Sequence, residues 1–218
     1  MNVRLISYSQ PPKDLYVGED MQELVAYCAR VSNPNNQMNS ETSSKLIKYL
    51  INNQHWSPLE MVNVCLEINT TRDIAHQIVR HRSFSFQEFS QRYAEPKEMG
   101  EQFVRREARL QDSKNRQNSI ETDDETLKNQ WLIQQDHVIV AANKAYQWAI
   151  ENGIAKEQAR VVLPEGLTKT RLYMNGTLRS WIHYIDLRGA NGTQKEHMEI
   201  AHACSKVIVE VFPLAEFL

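Results

Sequence analysis

The chain has 218 residues, a length that suits one domain with one sizeable core rather than two independent ones. Its 25 basic and 27 acidic residues leave a net charge of -2, which excludes a surface built to coat a polyanion. Any positive site must therefore be local, and its anion small. Arg4 and Ser7 interrupt the brief apolar stretch at the N-terminus, so neither a signal-peptide core nor a membrane span is expected, and the protein reads as cytoplasmic.

In chain order, Val3 to Ser7 reads as an opening strand. Leu24, Tyr27, Cys28 and Val31 then recur at helical spacing behind the acidic start Glu19 and Asp20. Asn33 to Asn36 breaks the pattern, and a second helix is expected from Thr42 to Asn52 with Leu46, Ile47 and Leu50 inward. Ser57-Pro58-Leu59-Glu60 has the form of a capping box, followed by Val62, Val64, Leu66 and Ile68 alternating as a strand. Thr70 or Thr71 can cap a helix carrying Ile74, Ile78 and Val79 inward, with His76, Gln77 and Arg80 on its polar side. Phe84, Phe86 and Phe89 suggest a strand with Ser83, Ser85 and Gln87 on the opposite face.

From Arg105 to Glu125 apolar residues nearly vanish, which predicts a surface loop or lid without assigned chemistry. Leu127, Trp131, Val138, Ala142, Ala145 and Ala149 sustain a long helix that stops near Gly153, and a short helix runs from Lys156 to Leu163 before Pro164. Thr168 to Met174 reads as extended. Thr177 caps a helix bearing Leu178, Trp181, Ile182 and Ile185, and Gln194 to Phe212 forms the last helix. Long helices with few strands predict an α+β fold: a single domain over residues 1–218 with a small mixed or antiparallel sheet flanked by helices. Cys28, Cys65 and Cys204 share no pairing or metal-ligand spacing and read as buried free thiols.

The densest chemistry lies in Arg80-His81-Arg82, Gln87-Glu88, Ser90 and Arg92-Tyr93. Guanidinium groups offer a planar fork of donors that matches phosphate, and they stay charged at any working pH, so a phosphorylated ligand is expected. Arg160, Arg171, Arg179 and Arg188 form a second basic set, with Arg179 and Arg188 on one helix at a spacing read as a quarter-turn from alignment. Neither GxGxxG nor GxxxxGK[ST] occurs, so side chains rather than a glycine-rich loop must hold the phosphates. The rival readings are a nucleotide- or RNA-binding module stacking bases on Phe84 and Phe86, and a metal-dependent hydrolase built on His76 and His81. His76, His137, His197 and His202 otherwise read as surface or helix-lining residues.

Arg80-His81-Arg82, seven intervening residues and Ser90 resemble the RHRx7S signature of the flavin-dependent thymidylate synthases (ThyX family). His55-Trp56-Ser57-Pro58-Leu59-Glu60, Arg160-Val161-Val162-Leu163-Pro164 and the helix from Thr177 to Arg188 are similar to further segments of that family, so the resemblance spans most of the chain. It implies reductive methylation of dUMP to dTMP, with 5,10-methylenetetrahydrofolate as carbon donor, NADPH as reductant and FAD as hydride carrier. It also implies a homotetramer with shared active sites, no metal, no nucleic acid and no membrane. The implied dUMP contacts are Gln77, Arg80, Glu88, Ser90, Arg92, Arg160 and Arg188; the implied FAD contacts are Ser57, Arg80, His81, Arg82, Glu88, Thr177, Arg179 and His183. His55 would lie near folate or flavin. Arg188 would act in catalysis by favouring the ionised pyrimidine. Ser90 would be a phosphate ligand, since no base stands in order to activate it, and no cysteine is placed to attack uracil. Gln87 stands where many relatives have asparagine, and Arg171 is left out of the site.

Overall fold

The computed structural model describes residues 2–15 and 20–214. A four-stranded sheet runs β1 (Asn2–Tyr8), β2 (Asn63–Thr71), β6 (Lys169–Thr177) and β3 (Phe84–Glu88) in that spatial order, every pair antiparallel. Two short strands, β4 (Arg109–Gln111) and β5 (Ser119–Glu121), form a separate hairpin. The helices are α1 (Met21–Ala29), α2 (Ser43–Asn52), α3 (Arg72–Ile78), α4 (Glu125–Glu151), α5 (Lys156–Ala159), α6 (Leu178–Gly189) and α7 (Lys195–Val209).

The period of two along β2 and β6 puts Val64, Leu66 and Ile68 opposite Gly176, Met174 and Leu172 on one face. Helices α1, α2, α3, α6 and α7 close over that face, with Trp181, Tyr184 and Phe212 fully buried in the shared core. Phe84 and Phe86 join it from β3, as their alternation predicts, while Ser83, Ser85 and Gln87 face outward. On the other face Arg171 donates to Asn69 Oδ1 at 2.9 Å and lies 3.8 Å from Glu67. That tie across the sheet gives Arg171 a structural partner.

Two helix ends carry more than packing. Asp20 caps α1 by accepting from Glu23 N at 2.8 Å; Glu19 lies outside the described residues. At the end of α2, Gln54 N donates to Ile51 O and His55 N to Leu50 O, with Gln54 at φ 58. This is the left-handed closure that α4 makes with Gly153 at φ 75, built here on a residue that has a Cβ.

Several expectations change. The buried stripe of α1 is Met21, Val25 and Ala26, one residue out of phase with Leu24, Tyr27 and Cys28, and Val31 lies exposed beyond the helix. Cys28 and Cys65 are half-buried; only Cys204 is enclosed. Ser57–Glu60 forms a 3-10 turn without a side-chain cap, because Glu60 turns to Arg179 instead. Val79 falls just past α3 and is exposed. The segment from 105 to 125 is no bare loop, since it holds the β4–β5 hairpin and its arginines pair with carboxylates of the core side. Leu127, Trp131, Val138 and Ala145 of α4 are exposed, and only Gln135, Ala142, Tyr146 and Ala149 of that helix are buried. The long helix therefore presents an apolar face that the described residues do not cover. Of the histidines read as surface or helix-lining, His197 is wholly buried.

Candidate active site

Helix α3 carries the chain back along the sheet and ends where β3 begins, which places Arg80, His81 and Arg82 in the connection. Helix α6 starts directly from β6 beside Phe84, capped by Thr177, whose Oγ1 accepts from Ser180 N at 3.2 Å. Side chains four apart on a helix share a face. One such stripe of α6 faces the Arg-His-Arg connection: Ser180 Oγ donates to Ser83 O at 3.3 Å, the Tyr184 ring meets His81 edge-on at 5.0 Å, and Arg188 Nε donates to His81 Nε2 at 2.9 Å. Since a guanidinium only donates, His81 Nε2 must be bare and its proton sits on Nδ1. Burial and then the neighbouring Arg188 charge both lower the pKa of His81, which keeps the ring neutral. Among the described residues nothing accepts from Nη1 and Nη2 of Arg188, so its outer fork is available to a ligand.

A second stripe of α6 faces the 3-10 turn. Arg179 pairs with Glu60, and the His183 ring lies 4.5 Å from that of Trp56. Arg179 and Arg188 thus point to opposite neighbours, since nine residues at 3.6 per turn advance half a turn and not a quarter. Ser57 and His183 are exposed at this end, and His55, also exposed, stacks edge-on with Tyr49 at 5.9 Å.

The rest of the expected set lies beyond the far end of β3. The alternation that turns Phe84 and Phe86 inward also turns Glu88 inward, where it accepts from Thr170 Oγ1 at 2.8 Å and Arg72 Nη1 at 3.1 Å. Ser90 opens a turn, its Oγ accepting from Arg92 N at 3.4 Å. Arg92 lies 3.5 Å from Glu157 Oε2, and Arg160 donates to the carbonyl of the same Glu157 at 3.3 Å. Segments near residues 92 and 160 therefore do converge. The two clusters, one around His81 and Arg188 and one around Ser90, Arg92 and Arg160, are separated by the five residues of β3, about 13–17 Å of strand.

Arg80 and Arg82 are exposed and, among the described residues, form no ion pair. Sequence reasoning missed the groups that hold the site: Arg72 and Thr170 on Glu88, Glu157 between the two arginines, and Tyr184 and His197 behind His81. His197 bonds Gln77 Oε1 at 3.2 Å and Tyr184 OH at 3.1 Å. The four-residue step from Tyr184 to Arg188 is the one signal that could have found the tyrosine; nothing in the spacing around His197 marks it.

Residues 14–214 match the family model described as "Thymidylate synthase complementing protein". The chain is 47% identical over 213 residues, 98% of its length and 96% of the relative's, to a probable flavin-dependent thymidylate synthase of Paramecium bursaria Chlorella virus 1. It is 48% identical over 98% of its length, and 96% of the relative's, to a flavin-dependent thymidylate synthase of a Synechocystis species. Its fold is shared with a UMP/dUMP methylase, PolB, from Streptomyces cacaoi, solved with 5-Br dUMP: TM-score 0.80, 24% identity, covering 98% of this chain and 92% of that one. The RHRx7S segment, the α6 residues that meet it and a match across nearly the full length agree, and the chain belongs to the flavin-dependent thymidylate synthase family.

Proposed function

We propose that the protein converts dUMP to dTMP, taking its carbon from 5,10-methylenetetrahydrofolate and its reducing equivalents from NADPH, with FAD bound as the resident cofactor, as a single domain acting in the cytoplasm. The observation that carries this reading is the Arg188–His81 hydrogen bond, which joins residues 107 apart and leaves the outer guanidinium fork open. FAD suits the residues present. Its pyrophosphate needs cations not already spent on carboxylates, and Arg80 and Arg82 are two exposed guanidinium groups without an acid partner among the described residues. Arg179, His183, Ser57, Thr177 and His81 are the further FAD contacts on the α6 side and Glu88 the one from β3; His55 stands near folate or flavin. The flavin, when bound, supplies hydride transfer.

The chain's own residues position and polarise dUMP. Arg188 stabilises the negative charge that develops on the pyrimidine, and neutral His81 orients that guanidinium by accepting its Nε–H. Gln77 and Arg80 meet the pyrimidine. Ser90, Arg92 and Arg160 hold the phosphate, with Glu88 beside them, so that the ring is delivered in a fixed pose. No side chain bonds covalently to uracil, and Ser90 Oγ, engaged with the Arg92 amide, meets no base among the described residues.

The separation of the two clusters within one chain, together with the uncovered apolar face of α4, supports a homotetramer. In it, the Arg188 cluster of one subunit completes a site with the Ser90–Arg92–Arg160 cluster of another. The purified protein should be yellow and bleach when NADPH and dUMP are added, and it should release tritium from C5-labelled dUMP. Arg188→Ala should keep fold and flavin and lose that release by at least about 100-fold. Normal release by that variant would end the proposed role. Mixing inactive Arg188→Ala and inactive Arg92→Ala subunits should restore activity; failure to do so after proven subunit exchange would refute shared sites.

A further inference from the structure

Behind the site runs a hydrogen-bond chain whose every orientation is forced from one end. Glu196 is buried on α7, flanked by Arg106 Nη1 at 2.9 Å and by Arg109. Burial pushes its pKa up, but the Arg109 hydrogen bond and the other donors around it outweigh that and bring it down to about 2. An ionised carboxylate can only accept. Gln194 must therefore turn Nε2 toward it, as it does at 2.9 Å, and show Oε1 to its other neighbour. Gln77 must then donate its Nε2 to that oxygen, at 2.7 Å, and face His197 with Oε1. His197 Nδ1 must donate to Gln77, at 3.2 Å. Buried beside Tyr184 and His81, the His197 imidazole is neutral, its pKa lowered to about 4 first by burial and then by the Arg188 charge. It has one N–H only, so its Nε2 is bare and accepts a hydrogen bond from the Tyr184 hydroxyl at 3.1 Å.

We propose that His197 is a positioning residue for Gln77: it holds the amide in the one orientation that Glu196 imposes, and so sets which polar edge the site offers the pyrimidine. The inference rests on dUMP lying against Gln77. After the chain has taken one N–H and one lone pair, Gln77 retains one of each for a ligand. A pyrimidine edge alternates acceptors with a donor, so a flipped amide would set oxygen against oxygen and nitrogen against nitrogen, and an amide free to flip would spend half its time wrong. Chains of this kind also strengthen one another by polarisation, and a link broken in the middle leaves buried polar atoms unpaired on both sides.

The test compares two substitutions of the same residue. The amide nitrogen of asparagine reaches the position of Nδ1, and the amide of glutamine reaches the position of Nε2, where its oxygen accepts from Tyr184. His197→Asn therefore keeps a donor to Gln77 and gives up Tyr184, while His197→Gln does the reverse. On flavin-loaded protein, calorimetry should show the Kd for dUMP raised about tenfold or more in His197→Gln, and held within about threefold of the unaltered protein in His197→Asn. KM should follow Kd, with kcat at saturating dUMP changing less. A purely packing role would make both variants lose affinity alike, in step with their melting temperatures, and that result, or unchanged affinity in both, overturns the proposal. Should either variant fail to fold, Gln194→Met breaks the chain on the other side of Gln77 at a half-exposed position; a Kd for dUMP equal to that of the unaltered protein then refutes it. Absence of dUMP binding to the unaltered protein would instead bring down the functional reading, and this inference with it.

Discussion

Adding one methyl group to Gly176 should disturb the core through a single ring. Gly176 lies in β6 opposite Phe84, and a Cβ built there would stand 2.4 Å and 2.6 Å from Phe84 Cδ1 and Cε1 and 3.2 Å from Cγ. Ordinary carbon contacts need about 3.5–4.0 Å, so the ring must retreat by about 1 Å. It has little room: Trp181 meets it edge-on at 4.8 Å and Tyr184 at 5.9 Å, with Phe86 at 6.2 Å on the other side. Overpacking of this kind costs about 1–3 kcal/mol. At about 2–4 °C per kcal/mol for a chain of this size, Gly176→Ala should melt about 2–12 °C lower, although alanine is otherwise the better strand residue. Phe84→Ala removes the clashing ring and by itself costs about 2–3 kcal/mol, because Phe84 is half-buried. The double variant should then be more stable than the sum of the two changes, by about 1–3 kcal/mol. The assay is a set of four thermal melts at one protein concentration, since assembly would otherwise shift the midpoints. A Gly176→Ala protein melting within about 1 °C of the unaltered one, or a strictly additive cycle, would show that the Phe84 contact does not explain the glycine.

Ser90→Ala should weaken dUMP binding by about 10-fold to 150-fold, the worth of one hydrogen bond to a charged group, and leave turnover measurable; lost chemistry with intact affinity would return the serine to consideration as a nucleophile. Gln54→Gly relieves a left-handed residue at the end of α2, so it should stabilise by up to about 1 kcal/mol, and a melting temperature that does not rise would refute the strain argued from φ 58. The pKa of His197, about 4 in the folded protein against an ordinary 6.5, means that the unfolded chain takes up its proton first. Its share of stability is full above about pH 6.5 and is lost as pH falls toward 4, while Glu196 adds a similar loss from 4.5 toward about 2. Melting temperatures measured from pH 7.5 to 4 should therefore decline less steeply in His197→Asn; parallel curves would contradict a neutral, buried imidazole.

Much of the fold was legible because its signals are local. The alternation of Val64, Leu66 and Ile68 and of Phe84 and Phe86, the Thr177 cap, and the glycine stop at Gly153 depend on residues within one turn or one pleat, and each reappears in the structure. The stripe of α1 was out of phase because Leu24 and Cys28 are as apolar as Met21 and Val25, so pattern alone cannot choose between them. The length of α4 was legible, but the exposure of its apolar face was not: periodicity says that a face is apolar but not which chain covers it. In the segment from 105 to 125, Arg106 and Arg109 looked like solvated charge because their partners, Asp73 and Glu196, stand more than 30 and more than 80 residues away.

By itself the sequence determined the chemistry available: which residues can hold a phosphate, that no glycine-rich loop does so, and, through the RHRx7S resemblance, which family's reaction they suit. Tertiary structure alone decided how those residues are used. It split the expected site into two clusters at opposite ends of β3, turned Arg179 and Arg188 to different neighbours, tied Arg171 across the sheet to Asn69, and set His197 and Glu196 behind Gln77. Residue type fixes what a side chain can donate or accept. The direction in which it does so depends on partners that the backbone brings together from distant positions, where no local pattern can register them.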